Sequence, residues 1–152
     1  MRDAFQKNYK FVAGQTSPED ALGNNNYPAT ASYIDVSGYE SVEVIIHLGF
    51  IHASDTPTFE VFQTDGVSGT LDTLDATNCK KVCAHTDDDQ MLTFYIETAT
   101  LADDHHFLST TCTLSTNGSY ADIIYLLGGA RHMPITQDTT MMPSDNQLMR
   151  AG

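Results

Sequence analysis

Residues 41–51, with the sequence SVEVIIHLGFI, carry the strongest structural signal in the chain. Every second residue from Val42 to Phe50 is apolar, and this period of two predicts a β-strand with one face in a core. The opposite face mixes charged, apolar and small residues, which suits solvent or a contact with another subunit. It consists of Glu43, Ile45, His47 and Gly49.

Similar alternation recurs along the chain. It predicts strands over residues 33–36, 58–64, 91–98, 106–114 and 120–127, and shorter ones near 71–74 and 81–84. Turn residues separate these runs, as at Asp65-Gly66, and residues 115–119 contain Asn117-Gly118, which favours a hairpin between the last two strands. No convincing amphipathic helix is present. The pattern predicts an all-β fold, a β-sandwich or a jelly-roll-like barrel.

The chain has 152 residues, which suits one domain with its own core. Residues 1–26 are polar and rich in turn residues, and we interpret them as an extended N-terminal arm. Residues 27–133 form the predicted β-sandwich core. Residues 134–152 have no clear period and are interpreted as a C-terminal arm.

The formal net charge of −13 argues against two kinds of partner, nucleic acid and anionic membrane, because both would be repelled. No apolar run is long enough to span a bilayer, and the start of the chain lacks the apolar stretch of a signal peptide, so synthesis in the cytoplasm is expected. The seven basic residues lie near the two ends and at Lys80-Lys81. They either reach a neighbouring acidic copy of the chain or form part of an unpatterned solvated surface.

Three cysteines, an odd number, argue against a secreted disulfide framework. Cys112 continues an alternating apolar run and is predicted to be a small core residue. Cys79 and Cys83, with His85, could bind a metal, but structural zinc needs four ligands and no second pair is present.

The remaining polar groups fit no catalytic motif. His105 and His106 are adjacent, so on a strand they point to opposite faces, and His47 has no triad partners at motif spacing. The acidic runs 87–89 and 103–104 lack the alternating pattern of a calcium loop and are interpreted as solvated loops. There is no phosphate-binding loop or nucleophile elbow. We therefore expect no catalytic residues, no cofactor and no enzymatic activity. A hydrolase with an unrecognised carboxylate pair stays an alternative.

Three segments resemble a family of small virion proteins of tailed bacteriophages, which are encoded near the major capsid protein. The segments have the sequences IDVSGYESV at 34–42, FEVFQTDG at 59–66 and LGGARHMP at 127–134. In the family they follow the patterns D-x-x-G-Y/F-x-S-V, T-P-x-x-Q-x-S-D-D-G and G-x-P-R-H-x-P. This chain departs from the family in a shorter acidic turn at 64–66, in HHFL at 105–108 where a basic strand is common, and in longer terminal segments.

The resemblance implies a virion protein on the capsid surface, a decoration or cement protein that binds the major capsid protein and stabilises the head. Threefold positions of a shell would favour a homotrimer. A head-to-tail connector or tail-terminator component is an alternative within the same class. A carbohydrate-binding β-sandwich module is an alternative from another class, and it would group its exposed aromatic residues on one face.

Overall fold

A computed structural model describes residues 9–15, 21–75, 77–115 and 118–131. These residues form ten β-strands, with two short 3-10 turns at His85–Asp87 and Thr98–Thr100. The strands are β1 (Tyr9–Ala13), β2 (Asn25–Tyr27), β3 (Ile34–Asp35), β4 (Ser41–Leu48), β5 (Thr58–Thr64), β6 (Asp72–Thr73), β7 (Lys80–Val82), β8 (Met91–Glu97), β9 (Phe107–Thr113) and β10 (Ala121–Gly128). The predicted all-β class is confirmed.

The strands form two antiparallel sheets. The front sheet has the order β1-β10-β4-β8. In the back sheet, β9 and β5 lie side by side in the centre; β2 and β3 pair with the outer edge of β9, and β6 and β7 pair with the outer edge of β5. The register pairs Val44 of β4 with Tyr125 of β10 and with Phe94 of β8.

The connections make this sandwich a jelly roll. Successive long strands alternate between the sheets, because β4 is followed by β5 in the opposite sheet, β8 by β9, and β9 by β10. Neighbouring strands within each sheet are therefore mostly far apart in sequence. This is the paired Greek-key arrangement of jelly-roll domains.

The core lies between the sheets and is made by the alternating residues that the sequence pattern selected. On β4 the inward residues Val42, Val44, Ile46 and Leu48 are all buried. The back sheet contributes Phe59, Val61, Leu108 and Cys112. Burial of such side chains supplies the main driving force of folding, about 25 cal/mol per Å² of apolar area.

Two sequence-based predictions about the chain's course are wrong. Residues 9–13 and 25–26, assigned to an N-terminal arm, belong to strands of the front and back sheets. β9 and β10 belong to different sheets, so they do not form the predicted hairpin. The alternation of β9 and β10 was predicted correctly, but partner choice depends on the apolar faces meeting in the core rather than on the turn sequence.

The predicted strand at 41–51 ends at Leu48, and Phe50 is 56% exposed rather than in the core. The predicted C-terminal arm, 134–152, lies outside the described residues. Among those described, the only helical segments are the two 3-10 turns, and none could cross a membrane.

Candidate interaction surface

The outward side of the front sheet is unusually apolar. We call it the front face. Two cross-strand rows form its centre: Ala13, Ile124, Ile45 and Thr93 in one, and Phe11, Leu126, Glu43 and Tyr95 in the other. A third row contains Asp122, His47 and Met91.

Several of these apolar side chains contact solvent. Tyr95 is 65% exposed and Met91 is 66% exposed, while Ile45, Ile124 and Leu126 are partly exposed. They lie on adjacent strands in register, so they form one continuous patch rather than scattered residues. Contiguous apolar patches on a protein surface commonly mark interaction sites.

The charged groups of the front face are nearly all acidic. Glu43, Glu97 and Asp122 point outward, and the outward positions of the four described strands carry no Lys or Arg. His47 lies beside Asp122, with 3.9 Å between Nδ1 and Oδ2. The front face therefore complements an apolar surface that also carries basic side chains.

The outward side of the back sheet differs in character. Its central positions include Thr58, Thr111 and Thr113, and Glu60 forms an ion pair with Lys80 at 2.8 Å. Ser109 is buried there and donates a hydrogen bond to the carbonyl of Pro28 at 3.1 Å. Two apolar side chains also face outward on this side, Phe62 and the 56% exposed Val82, but they lie among hydroxyl groups and the ion pair. Apolar side chains are therefore fewer here than on the front face.

The three cysteines are buried free thiols, as expected for Cys112. Burial raises the pKa of Cys83 to about 11 and that of Cys112 to about 12, with a smaller contribution from neighbouring acids. Burial also raises the pKa of Cys79. The thiolate is the nucleophile and the metal ligand, so these groups are poorly suited to either role at neutral pH.

The other candidate residues are not brought together. Among the described residues, no group of three or more His, Cys, Asp and Glu could hold a metal ion. Instead, Asp87 and Asp88 accept hydrogen bonds from the backbone N–H groups of Ala84 (2.9 Å) and Ile51 (2.8 Å). These carboxylates fix the loop geometry at the end of the front sheet.

His105 and His106 also separate, as their adjacency on the chain predicted. His106 is exposed, whereas His105 contacts Asp72 through Nε2 at 2.9 Å and the carbonyl of Asp103 through Nδ1 at 3.0 Å. Asp103 and Asp104 are exposed, in agreement with a solvated loop. His105 therefore joins the loop before β9 to β6.

A polar groove of about 610 Å³ lies beside β2 and the end of β1. Amide and hydroxyl side chains line much of it, including Asn24, Asn25, Asn26 and Thr30, together with Tyr27 and Pro28. Part of this lining is already used within the fold: the Asn26 side chain donates to the Tyr33 hydroxyl at 3.0 Å, and Asn24 accepts from the N–H of Leu114 at 2.6 Å.

Comparison of the sequence with protein-family models and with curated proteins finds no match.

Sequence reasoning identified only part of the front face. The outward residues of β4 were recognised as a mixed surface, but Ile124 and Leu126 were not. They lie within the run Ile-Ile-Tyr-Leu-Leu at 123–127, where both faces of the strand are apolar and periodicity cannot separate them. A continuous apolar run on a strand of an antiparallel sheet is the signal that could have shown a second contact face.

Proposed function

We propose that the chain is a structural virion protein, a capsid decoration protein that binds the head shell of a tailed bacteriophage and stabilises it. The single observation that carries this proposal is the front face, an apolar surface that also carries the acidic side chains of Glu43, Glu97 and Asp122. The partner is the major capsid protein, through an apolar surface that bears basic side chains.

Three further features support a structural role. The jelly roll is an architecture that viral capsid domains use, although fold alone does not define function. The three segments that resemble phage virion proteins point to the same class. A decoration protein acts through many copies, each contributing a modest interface, so a patch of one sheet face is sufficient.

The direct test is add-back of purified protein to phage heads that lack it, followed by co-sedimentation and by measurement of shell stability to heat. Wild-type protein is expected to sediment with the heads and to raise the temperature at which they release DNA. Binding is expected to weaken as salt rises, because acidic and basic groups are screened.

A matched pair of variants locates the contact. Ile45→Glu introduces a charge in the centre of the front face, whereas Thr111→Glu introduces the same charge at a partly exposed outward position of the back sheet. We expect Ile45→Glu to reduce binding at least tenfold, which corresponds to about 1.4 kcal/mol. Thr111→Glu is expected to bind like wild type. Equal binding by both variants, or a wild-type protein that never sediments with heads, would contradict the proposal.

The polar groove favours a second candidate function, a carbohydrate-binding module. Amide and hydroxyl groups beside an aromatic ring can bind sugar hydroxyl groups. However, the Tyr27 hydroxyl already accepts a hydrogen bond from the N–H of Gly23 at 2.9 Å, and the strongly exposed Tyr95 lies on the other sheet. Binding on a glycan array that is lost in Asn25→Ala would support this alternative over the first.

A further inference from the structure

Strand β8 has a long open edge. Among the described residues it pairs only with β4, at the end of the front sheet, so its other side is open. The bonds from Leu48 N–H to the Gln90 carbonyl (2.8 Å) and from Thr98 N–H to the Glu40 carbonyl (3.0 Å) fix which residues face β4. In an antiparallel pair, residues whose backbone bonds to the neighbouring strand alternate with residues whose backbone points away. Leu92, Phe94 and Ile96 therefore bond to β4.

The intervening residues, Met91, Thr93, Tyr95 and Glu97, therefore direct their backbone N–H and C=O groups away from the sheet. Thr100 donates its hydroxyl to the Glu97 carbonyl at 2.7 Å. Within the described residues, the edge groups of Met91, Thr93 and Tyr95 have no partner in the fold. No other described strand pairs with this edge, and the side chains of all four residues are exposed.

Proteins usually protect such edges with short strands, lysines, prolines or bulges. The back sheet does so, because its edge strands have two or three residues and β7 carries Lys80 and Lys81. Strand β8 has seven residues and contains no Lys or Pro. An unprotected edge of this length in a native protein is best explained by a partner strand.

We propose that β8 pairs with β8 of a second copy, in antiparallel orientation, to form a dimer with a continuous eight-stranded front sheet. The register that pairs the full strand places Phe94 opposite Phe94 of the second copy. It then places Thr93 opposite Tyr95 and Met91 opposite Glu97. No charge faces a like charge, and Thr–Tyr is a favourable cross-strand pair, so the strand is complementary to itself.

The dimer joins two front faces into one surface. A partner that binds both copies gains affinity from the second contact at high effective concentration. The twofold pairing also differs from the trimer that shell-bound proteins of threefold positions would form. The β8 pairing requires no capsid, so its test is independent of the proposed function.

Light scattering coupled to gel filtration tests the pairing. Wild-type protein is expected to show twice the mass of one chain. The double variant Thr93→Lys with Tyr95→Lys places lysine opposite lysine at two positions of the dimer, and it is expected to show the mass of one chain.

The matched control carries opposite charges at the same two positions. In Thr93→Lys with Tyr95→Glu, each lysine faces a glutamate of the second copy in the proposed register, so the dimer is expected to persist. In registers that pair Thr93 with Thr93 or Tyr95 with Tyr95, the same variant would place like charges opposite each other and dissociate. The side chains of Thr93 and Tyr95 are both exposed, and circular dichroism verifies that both variants fold.

Hydrogen exchange provides a second readout on unmodified protein. In the dimer, the amides of Thr93 and Tyr95 are expected to be protected as well as those of Leu92 and Phe94. In the double-lysine variant, only the amides bonded to β4, those of Leu92, Phe94 and Ile96, are expected to stay protected. A wild-type chain that is monomeric or trimeric, a double-lysine variant that remains dimeric, or fast exchange at Thr93 and Tyr95 in wild type would overturn the inference.

Discussion

Asp55 is a buried carboxylate, 2% exposed, that fastens the loop after β4 to the segment crossing from β9 to β10. Its oxygens accept hydrogen bonds from the N–H of Thr56 (2.9 Å), the N–H of Ser115 (2.9 Å), the Ser115 hydroxyl (3.0 Å) and the Ser119 hydroxyl (2.6 Å). A buried charge is tolerated only with such partners, so the carboxylate and its donors form one structural unit.

Asp55→Ala is expected to lower the free energy of unfolding by about 3 kcal/mol, because several buried donors lose their acceptor together. Urea unfolding followed by circular dichroism measures the change. Asp103→Ala, at an exposed position, serves as the control and is expected to change stability by less than about 0.5 kcal/mol. Equal effects from the two substitutions would show that the Asp55 hydrogen bonds contribute nothing specific.

His105 links stability to pH. Its Nδ1 can bond to the Asp103 carbonyl only as a donor, and Nε2 contacts the Asp72 carboxylate, so the ring is best satisfied when both nitrogens are protonated. The hydrogen bond to the carbonyl, and then the bond to Asp72, raise the pKa of His105 above its ordinary value of 6.5. The folded state therefore binds this proton more tightly than the unfolded state does.

A raised pKa in the folded state stabilises the protein fully below the unfolded pKa, near 6.5, and the contribution is lost as pH rises through the folded pKa. His105→Gln is thus expected to be less stable than wild type at about pH 5.5 and to approach wild type as the pH rises above neutrality. Unfolding free energies of both proteins across this range measure the difference. A difference that stays constant, or grows with pH, would exclude the assigned protonation.

A hydrogen-bonded tyrosine joins the two sheets through the core. The Tyr125 hydroxyl on β10 donates to the carbonyl of Tyr27 at 2.6 Å, so the Thr110 hydroxyl on β9, 2.7 Å away, donates to it. Tyr125 is fully buried, and burial raises the pKa of its phenol. The contact fixes the front sheet against the back sheet at one position.

Tyr125→Phe is expected to lower the free energy of unfolding by about 1.5 kcal/mol, since the Thr110 hydroxyl and the Tyr27 carbonyl lose a partner in the core. Thr110→Val removes the other hydroxyl. The double variant is expected to lower the free energy of unfolding by less than the sum of the two single changes, with a coupling energy of about 1 kcal/mol. Denaturant unfolding of the four proteins completes this cycle, and strict additivity would show that the two hydroxyl groups act independently.

The sequence predicted the long strands well, because β4, β5 and β8 each bury one alternate face and expose the other. Pairing could not be predicted to the same degree. β1 is only five residues long and gains its stability from β10, more than a hundred residues away, so its own sequence carries little signal. The Asn117-Gly118 step suggested a hairpin, yet β9 and β10 must face each other across the core to bury Cys112 and Tyr125.

The candidate surface was predictable only where polar and apolar residues alternate. His47 and Glu43 mark the outward side of β4, but on β10 both sides are apolar and only the assembled sheet shows which residues face outward. The open edge of β8 could not be predicted at all. An edge is defined by the absence of a neighbouring strand, and that depends on the complete strand order.

The net charge of −13 opposes folding through self-repulsion, whereas the Glu60–Lys80 ion pair stabilises the folded state, more in low salt than in high salt. One partly exposed ion pair contributes at most about 1 kcal/mol, so screening of the general repulsion outweighs screening of the pair. We therefore expect the melting temperature to rise by about 3 °C between low salt and about 0.2 M NaCl.

Asp89 and Asp104 provide a control for this charge effect. Both are exposed and have positive φ angles of 60° and 66°, which asparagine adopts readily, so Asp89→Asn with Asp104→Asn removes two charges without backbone strain. The double variant is expected to melt higher than wild type in low salt and to gain less from added NaCl. Because dimer formation would also respond to salt, both proteins are compared at protein concentrations where the melting temperature is independent of concentration. A melting temperature that falls with salt would show that specific ion pairs, rather than net repulsion, dominate the electrostatics of the fold.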